Sequence, residues 1–185
     1  MVSITALWLP VLVAAILVFV ASSLIHMVLP LHNKDVTRLP DEDAAMAALR
    51  EAGVKPGDYV FPYFTPAEMG SPEAKEKYER GPVGILTVMN NGMPFMGTVL
   101  GLWFVYGLVI SVLVAYVTGR VFGPGAEYLA VFRIAGTVAF LAYAGSEAHR
   151  SIWWGRSWGT TLRNIVDGLV YGLVTAGAFG WLWPR

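Results

Sequence analysis

The chain has 185 residues and no net formal charge; 56% of its residues are hydrophobic, only 14% are charged, and its mean hydropathy is +0.56. That is too apolar for a soluble globular domain. With no cysteine and only 3 histidines it also excludes disulfides, thiolate metal sites, thiol nucleophiles and a basic nucleic-acid footprint. Of the 26 charged residues, 17 lie between Leu31 and Gly92, while Met1 to Pro30 carries none. A multi-pass membrane protein with one polar insert follows.

The first thirty residues contain no Lys or Arg, and no small-residue cleavage pattern follows them, so the opening segment reads as a permanent helix rather than a signal peptide. A bilayer core of about 30 Å needs about 20 apolar residues in a helix. Four stretches meet that length. The first runs from Thr5 to Val28 and stops at Pro30. The second runs from Pro94 to Thr118, with Pro94 at a first helical position, and is followed by a tight loop from Gly119 to Gly125. The third spans Tyr128 to Gly145, and the fourth spans Leu162 to Trp183. The predicted architecture is an all-α membrane protein, a bundle of four transmembrane helices with a small α+β insert between helices 1 and 2. Its organisation is a first span in residues 1–30, an insert in 31–92 and the remaining spans in 93–185.

Inside the insert, Pro40 followed by Asp41, Glu42 and Asp43 starts a helix that Gly53 ends. Tyr59-Val60-Phe61 reads as a short strand, and Thr65 with Glu68 forms a capping-box pattern. A second helix from Ser71 to near Gly81 precedes a second strand, Val83 to Val88, and the two strands are expected to pair. A domain this small buries little apolar area and leans on other structure for stability. Docking or substrate gating is its functional alternative.

Lys and Arg counts set the orientation. Lys34, Arg38, Lys75, Lys77, Arg80, Arg150, Arg156 and Arg163 share one side, against Arg120 and Arg185 on the other. This places the insert in the cytoplasm and both termini outside, in a cell membrane of the bacterial inner-membrane type.

Lipid supplies little hydrophobic drive between helices, so small side chains that allow close approach hold spans together. Gly168, Gly172, Ala176 and Gly180 recur every four residues in the fourth span, and Gly97, Gly101 and Gly107 give the second a similar face. These are the expected packing residues, within one chain or between copies.

Ionisable groups in spans are costly and mark the places to look for function. His26 projects onto the small, polar side of the first span, His149 lies just past the third on the stripe of Ala135, Ala139 and Ala142, and Asp167 lies two turns into the fourth. All three fall near the cytoplasmic end, and the trio is the candidate polar cluster. Local hydrogen bonding is the bland account of it; haem or metal ligation and proton relay are the sharper ones. No cofactor is otherwise predicted. Arg133, within the third span, projects away from the small-residue stripe and snorkels outward or meets a lipid headgroup. Arg150, Trp153, Trp154, Arg156, Trp158 and Arg163 form a Trp/Arg-rich loop near 150–163, an interfacial anchor that contacts lipid.

Phosphate-binding glycine loops, HExxH and nucleophile elbows are absent from the sequence, so the balance leans away from an enzyme. The foremost reading is a structural or accessory subunit of a membrane assembly, with membrane lipids, other membrane subunits or further copies of itself as partners and no nucleic acid. The alternatives are a small transporter or lipid-binding protein, and a haem- or metal-binding protein that uses His26 and His149.

Overall fold

The computed structural model describes every residue from Met1 to Arg185, arranged as two compact units. One comprises Met1–Val36 and Pro94–Arg185; the other is Thr37–Met93.

In the first unit a continuous helical segment, Ile4–Val28, begins with a 3-10 turn capped by the Ser3 hydroxyl, which accepts from the Ala6 amide. It continues as α1, Trp8–Ser23, and closes in a π-helical turn, Leu24–Val28. The closure has a local cause. Pro30 forces the preceding Leu29 into extended backbone, φ −89° and ψ 138°, and the last turn widens so that the Leu29 amide reaches the Leu24 carbonyl at 3.0 Å. A single 3-10 turn, Pro30–His32, then folds the chain back.

The second unit carries α2, Glu42–Glu51, with the Asp41 carboxylate accepting from the Ala44 amide; strand β1, Gly57–Phe61; α3, Pro72–Arg80, capped by Ser71; and strand β2, Gly84–Val88. The strands pair antiparallel with Tyr59 opposite Leu86. Both Thr65 donors, amide and hydroxyl, reach Glu68 Oε2, at 2.9 and 2.7 Å.

The chain returns to the first unit with α4, Met96–Val121; α5, Tyr128–Ala144; α6, Glu147–Trp154; and α7, Trp158–Trp181. Pro94 lies two residues ahead of α4, with Phe95 as its cap, and α4 runs three residues past Thr118. Beyond α5, where an interfacial loop was expected, the chain breaks only at Gly145 and Ser146 before α6 resumes the helix. The last helix starts four residues ahead of Leu162, because Ser157 caps it by accepting from the Thr160 amide at 3.2 Å.

Three segments are long and apolar enough to cross a membrane: Ile4–Val28, Met96–Val121 and Tyr128–Trp154. The fourth expected span corresponds to α7, which has 24 residues but whose apolar run is interrupted by Asn164, Asp167 and Thr175; it is not among the three.

Packing in this unit is inside-out relative to a soluble protein. α7 lies against α5 and α1, and α4 against α1 and α5. The shared core is built largely from small residues such as Ala14, Ala115, Ala135, Ala139 and Ala178, closed by Leu7, Val114, Val131 and Phe179. Large apolar side chains point outward, Leu12 and Ile16 on α1, Leu102 and Val109 on α4, Leu129 and Leu141 on α5. Water would penalise such a surface, and hydrocarbon does not.

The glycines divide into two groups. A Cβ on Gly168 would come within 2.6 Å of Ala144 Cβ, one on Gly172 within 3.2 Å of Gly136 O and Phe140, and one on Gly180 within 2.8 Å of the Tyr128 ring, so α7 approaches α5 at van der Waals limits. Ala176 faces Gly136 in the same interface, 2.9 Å from where a Cβ on that glycine would stand. On α4, Gly101 has no neighbour, Gly97 meets only its own Phe95, and Gly107 meets the Tyr143 hydroxyl.

Candidate functional site

The site forms at the end of the helical unit where α1 closes and α7 begins. On α7, Thr160, Arg163 and Asp167 follow one another at intervals of three and four, which puts them on one helix face. The Pro30–His32 turn and Asp35 lie against that face. Asp35 Oδ1 accepts from the Thr160 hydroxyl at 3.1 Å and from Arg163 Nε at 2.7 Å, and a second Arg163 nitrogen, Nη2, also donates to it. Partial burial by itself would raise the Asp35 carboxyl. The hydrogen bonds from His32, Arg163 and Thr160, with the Arg163 charge, outweigh it and hold the group down at about 2, against an ordinary 3.8.

The other Asp35 oxygen accepts from His32 Nδ1 at 2.6 Å. His32 Nε2 then lies 3.0 Å from Asp167 Oδ2, and His26 Nε2 lies 3.7 Å from the same oxygen. The two imidazole rings stack, with centroids 4.4 Å apart and planes 11° from parallel. His26 is held in turn by Nδ1 at 3.1 Å from the Ser22 carbonyl, four residues back, at the junction of α1 with its π turn. Donor atoms of His26, His32 and Asp167 all fall within 4.8 Å of one another, with Asp167 buried.

Beside this group opens a cleft of about 450 Å³ whose walls come from α1, α4, α5, α6 and α7. Its polar end carries His26, Asp167, Glu147 and Asn164; its interior is aromatic, with Trp103, Tyr106, Tyr143 and Tyr171. Trp103 donates through Nε1 to Ser22 Oγ at 2.8 Å, fixing α4 to α1 just below His26. Tyr143 meets Tyr171 edge-on with centroids 5.3 Å apart, and its buried hydroxyl has no hydrogen-bond partner. Glu147 accepts from Arg156 at 3.2 Å and from Asn164 at 2.7 Å, and this binds α6 to the start of α7.

Of the three residues that the sequence brought forward as a polar cluster, His26 and Asp167 meet here. His149 does not: it is exposed on α6, outside the group. Ala135 and Ala139 are buried but Ala142 is already exposed, so the stripe leaves the helix interface before it reaches His149. Ser151 turns inward instead, with its hydroxyl 2.6 Å from that of Thr161. His32 takes the second imidazole position. Sequence reasoning passed over it because Pro30 ended the span and assigned His32 to the insert; the available signal was the second histidine six residues after His26, across a proline that forces a turn.

The remaining sequence-selected residues are peripheral. Trp153, Trp154 and Trp158 are exposed, as are Arg150 and Arg133, whereas Arg156 and Arg163 are tied to Glu147 and Asp35.

Fold and site together define a mostly helical protein with three segments long and apolar enough to cross a membrane and a histidine–carboxylate group at the mouth of an aromatic cleft. Compared with known protein families, curated proteins and solved structures, the chain matches none.

Proposed function

We propose that the chain is a four-span membrane protein that binds a lipophilic molecule with an oxygen-bearing head group in the cleft between α1, α4, α5 and α7. The observation that carries this reading is the buried Tyr143 hydroxyl. Tyr143 lines the cleft, its hydroxyl is shut off from solvent toward Gly107 and has no partner, and an unsatisfied buried hydroxyl costs about 1–3 kcal/mol. A ligand carbonyl or hydroxyl would satisfy it once the Tyr143 ring turns toward the cleft. The surrounding rings suit a flat or branched apolar body, and the polar end suits a head group reached from the interface.

Treating α7 as the fourth span rests on its length and on its exposed Leu162, Val166, Leu169 and Leu173, which need an apolar environment as much as the outer faces of α1 and α4 do. Its polar groups turn inward, where protein and cleft receive them. The excess of Lys and Arg beside the site then orients that end toward the cytoplasm, in a membrane of the bacterial inner-membrane type.

A small lipid-binding protein fits these features better than an accessory subunit does. The small-residue face of α7 is already occupied by α5 and so is not free to receive another subunit or copy.

The test is a titration of delipidated protein with a short-chain quinone and, separately, a fatty acid, followed by tryptophan fluorescence. Saturable quenching that Tyr143→Phe weakens supports the reading, and the arm that saturates identifies the head group. Absence of saturation in both arms contradicts it.

A further inference from the structure

We infer that His26, His32 and Asp167 form a binding site for one divalent transition-metal ion of the zinc or iron(II) type, with a coordination position left open toward the cleft. The inference stands apart from the lipophile reading, because it concerns the mouth of the cleft and is measured without ligand.

The first argument is tautomeric. A backbone carbonyl can only accept, so the contact of His26 Nδ1 with the Ser22 carbonyl puts the ring proton on Nδ1. The Asp35 carboxylate likewise fixes the His32 proton on Nδ1. Each neutral ring is left with a lone pair on Nε2. Both Nε2 atoms lie beside Asp167 Oδ2, itself an acceptor. His32 Nε2 is buried without a hydrogen-bond partner although it stands 3.0 Å from that oxygen, so the approach lacks the alignment of a hydrogen bond. Three electron-pair donors crowded together repel; a cation among them turns the repulsion into binding.

The second argument is metric. Two ligand atoms bound about 2.1 Å from one ion lie about 3.0 Å apart at a right angle and about 3.6 Å apart at 120°. The observed 3.0 and 3.7 Å are of that size. Two imidazoles with one carboxylate suit zinc, iron(II), cobalt and manganese, whereas calcium and magnesium take oxygen sets.

The third argument is the bracing. Metal-bound histidines characteristically donate their other N–H to a carbonyl or carboxylate. Here both do, and Asp35 is itself clamped by Thr160 and Arg163. Charge points the same way: Arg163 is paired with Asp35 and Arg156 with Glu147, and no Lys or Arg pairs with Asp167. Because His26 and Asp167 also line the cleft, a coordination position not filled by protein opens onto it.

The competing arrangement is a doubly protonated His32 bridging Asp35 and Asp167 with no metal. To separate the two, the untagged full chain is purified in detergent, stripped with a chelator and titrated with Zn2+ by calorimetry and with Co2+ by visible absorption. The expected result is one equivalent of metal per chain. His32→Gln and Asp167→Asn should each weaken binding by more than about 100-fold, Asp35→Asn by about 10- to 100-fold, and His149→Ala not at all. X-ray absorption of the zinc-loaded wild type should show two imidazole ligands. Failure of the folded wild type to bind one equivalent overturns the site, as does wild-type affinity in a His32→Gln protein whose circular dichroism is unchanged.

Discussion

His32 Nε2 stands 3.0 Å from Asp167 Oδ2, joining the turn that ends the first helical segment to the third turn of α7. Neither residue belongs to a local motif, and the meeting depends on two separate devices. Pro30 folds the chain back on itself, and the Thr160, Arg163 and Asp167 face of α7 receives the fold through Asp35.

The Asp35 anchor gives the molecule a pH dependence. Its folded-state carboxyl is held at about 2, below the ordinary 3.8, so its stabilisation is fully present above about pH 4 and is lost as pH falls through 2. Thermal unfolding of the detergent-solubilised protein from pH 5 to pH 2 should show the wild-type midpoint falling across that window. Asp35→Asn should start lower and fall less steeply. Parallel curves for the two proteins would contradict the assignment.

Close approach of α7 to α5 makes Gly168 sensitive to added volume. Gly168→Leu forces a side chain where even a Cβ would sit 2.6 Å from that of Ala144, and should destabilise by about 1–3 kcal/mol or more. Gly101→Leu meets open space and should be near neutral. Equal losses in the two variants, read by thermal unfolding, would show that the glycine spacing does not report packing.

The hydroxyls of Ser151 and Thr161, 2.6 Å apart and buried, connect α6 to α7. Ser151→Ala leaves the Thr161 hydroxyl without its partner and should cost about 1–3 kcal/mol. The double variant Ser151→Ala with Thr161→Val removes both groups and should recover part of the loss. A double-mutant cycle with no coupling would remove this pair as the link.

The absence of cysteine makes the topology directly testable. Single cysteines at Gly70, which has open space around it, and at exposed Glu127 should label from opposite sides of the membrane, Gly70→Cys from the cytoplasm. Labelling of both from one side would overturn the proposed orientation.

Much of the architecture was legible because it follows from short-range rules. The apolar runs before Pro30, after Pro94 and after Glu127 announce long helices by length alone, and Tyr59 to Phe61 and Val83 to Val88 announce strands by β-branched and aromatic content. The site was legible only in part. His26 and Asp167 stood out as ionisable groups in apolar runs, and the fold brings them within 3.7 Å. His149 was selected by carrying the stripe of Ala135 and Ala139 onward through Ala142, which is exposed and no longer on the packed face. His32 went unselected because a proline looks like an ending, whereas here it is a reversal. The aromatic cleft depends on five helices meeting and has no one-dimensional signature.

The proposed function is tested most directly by native mass spectrometry of the protein released from a mild detergent. One lipophilic molecule should remain bound per chain, and it should be lost in Leu100→Trp, which fills the cleft wall, but kept in His149→Ala. A chain that carries no bound molecule, or one retained equally in the folded Leu100→Trp variant, would contradict the account.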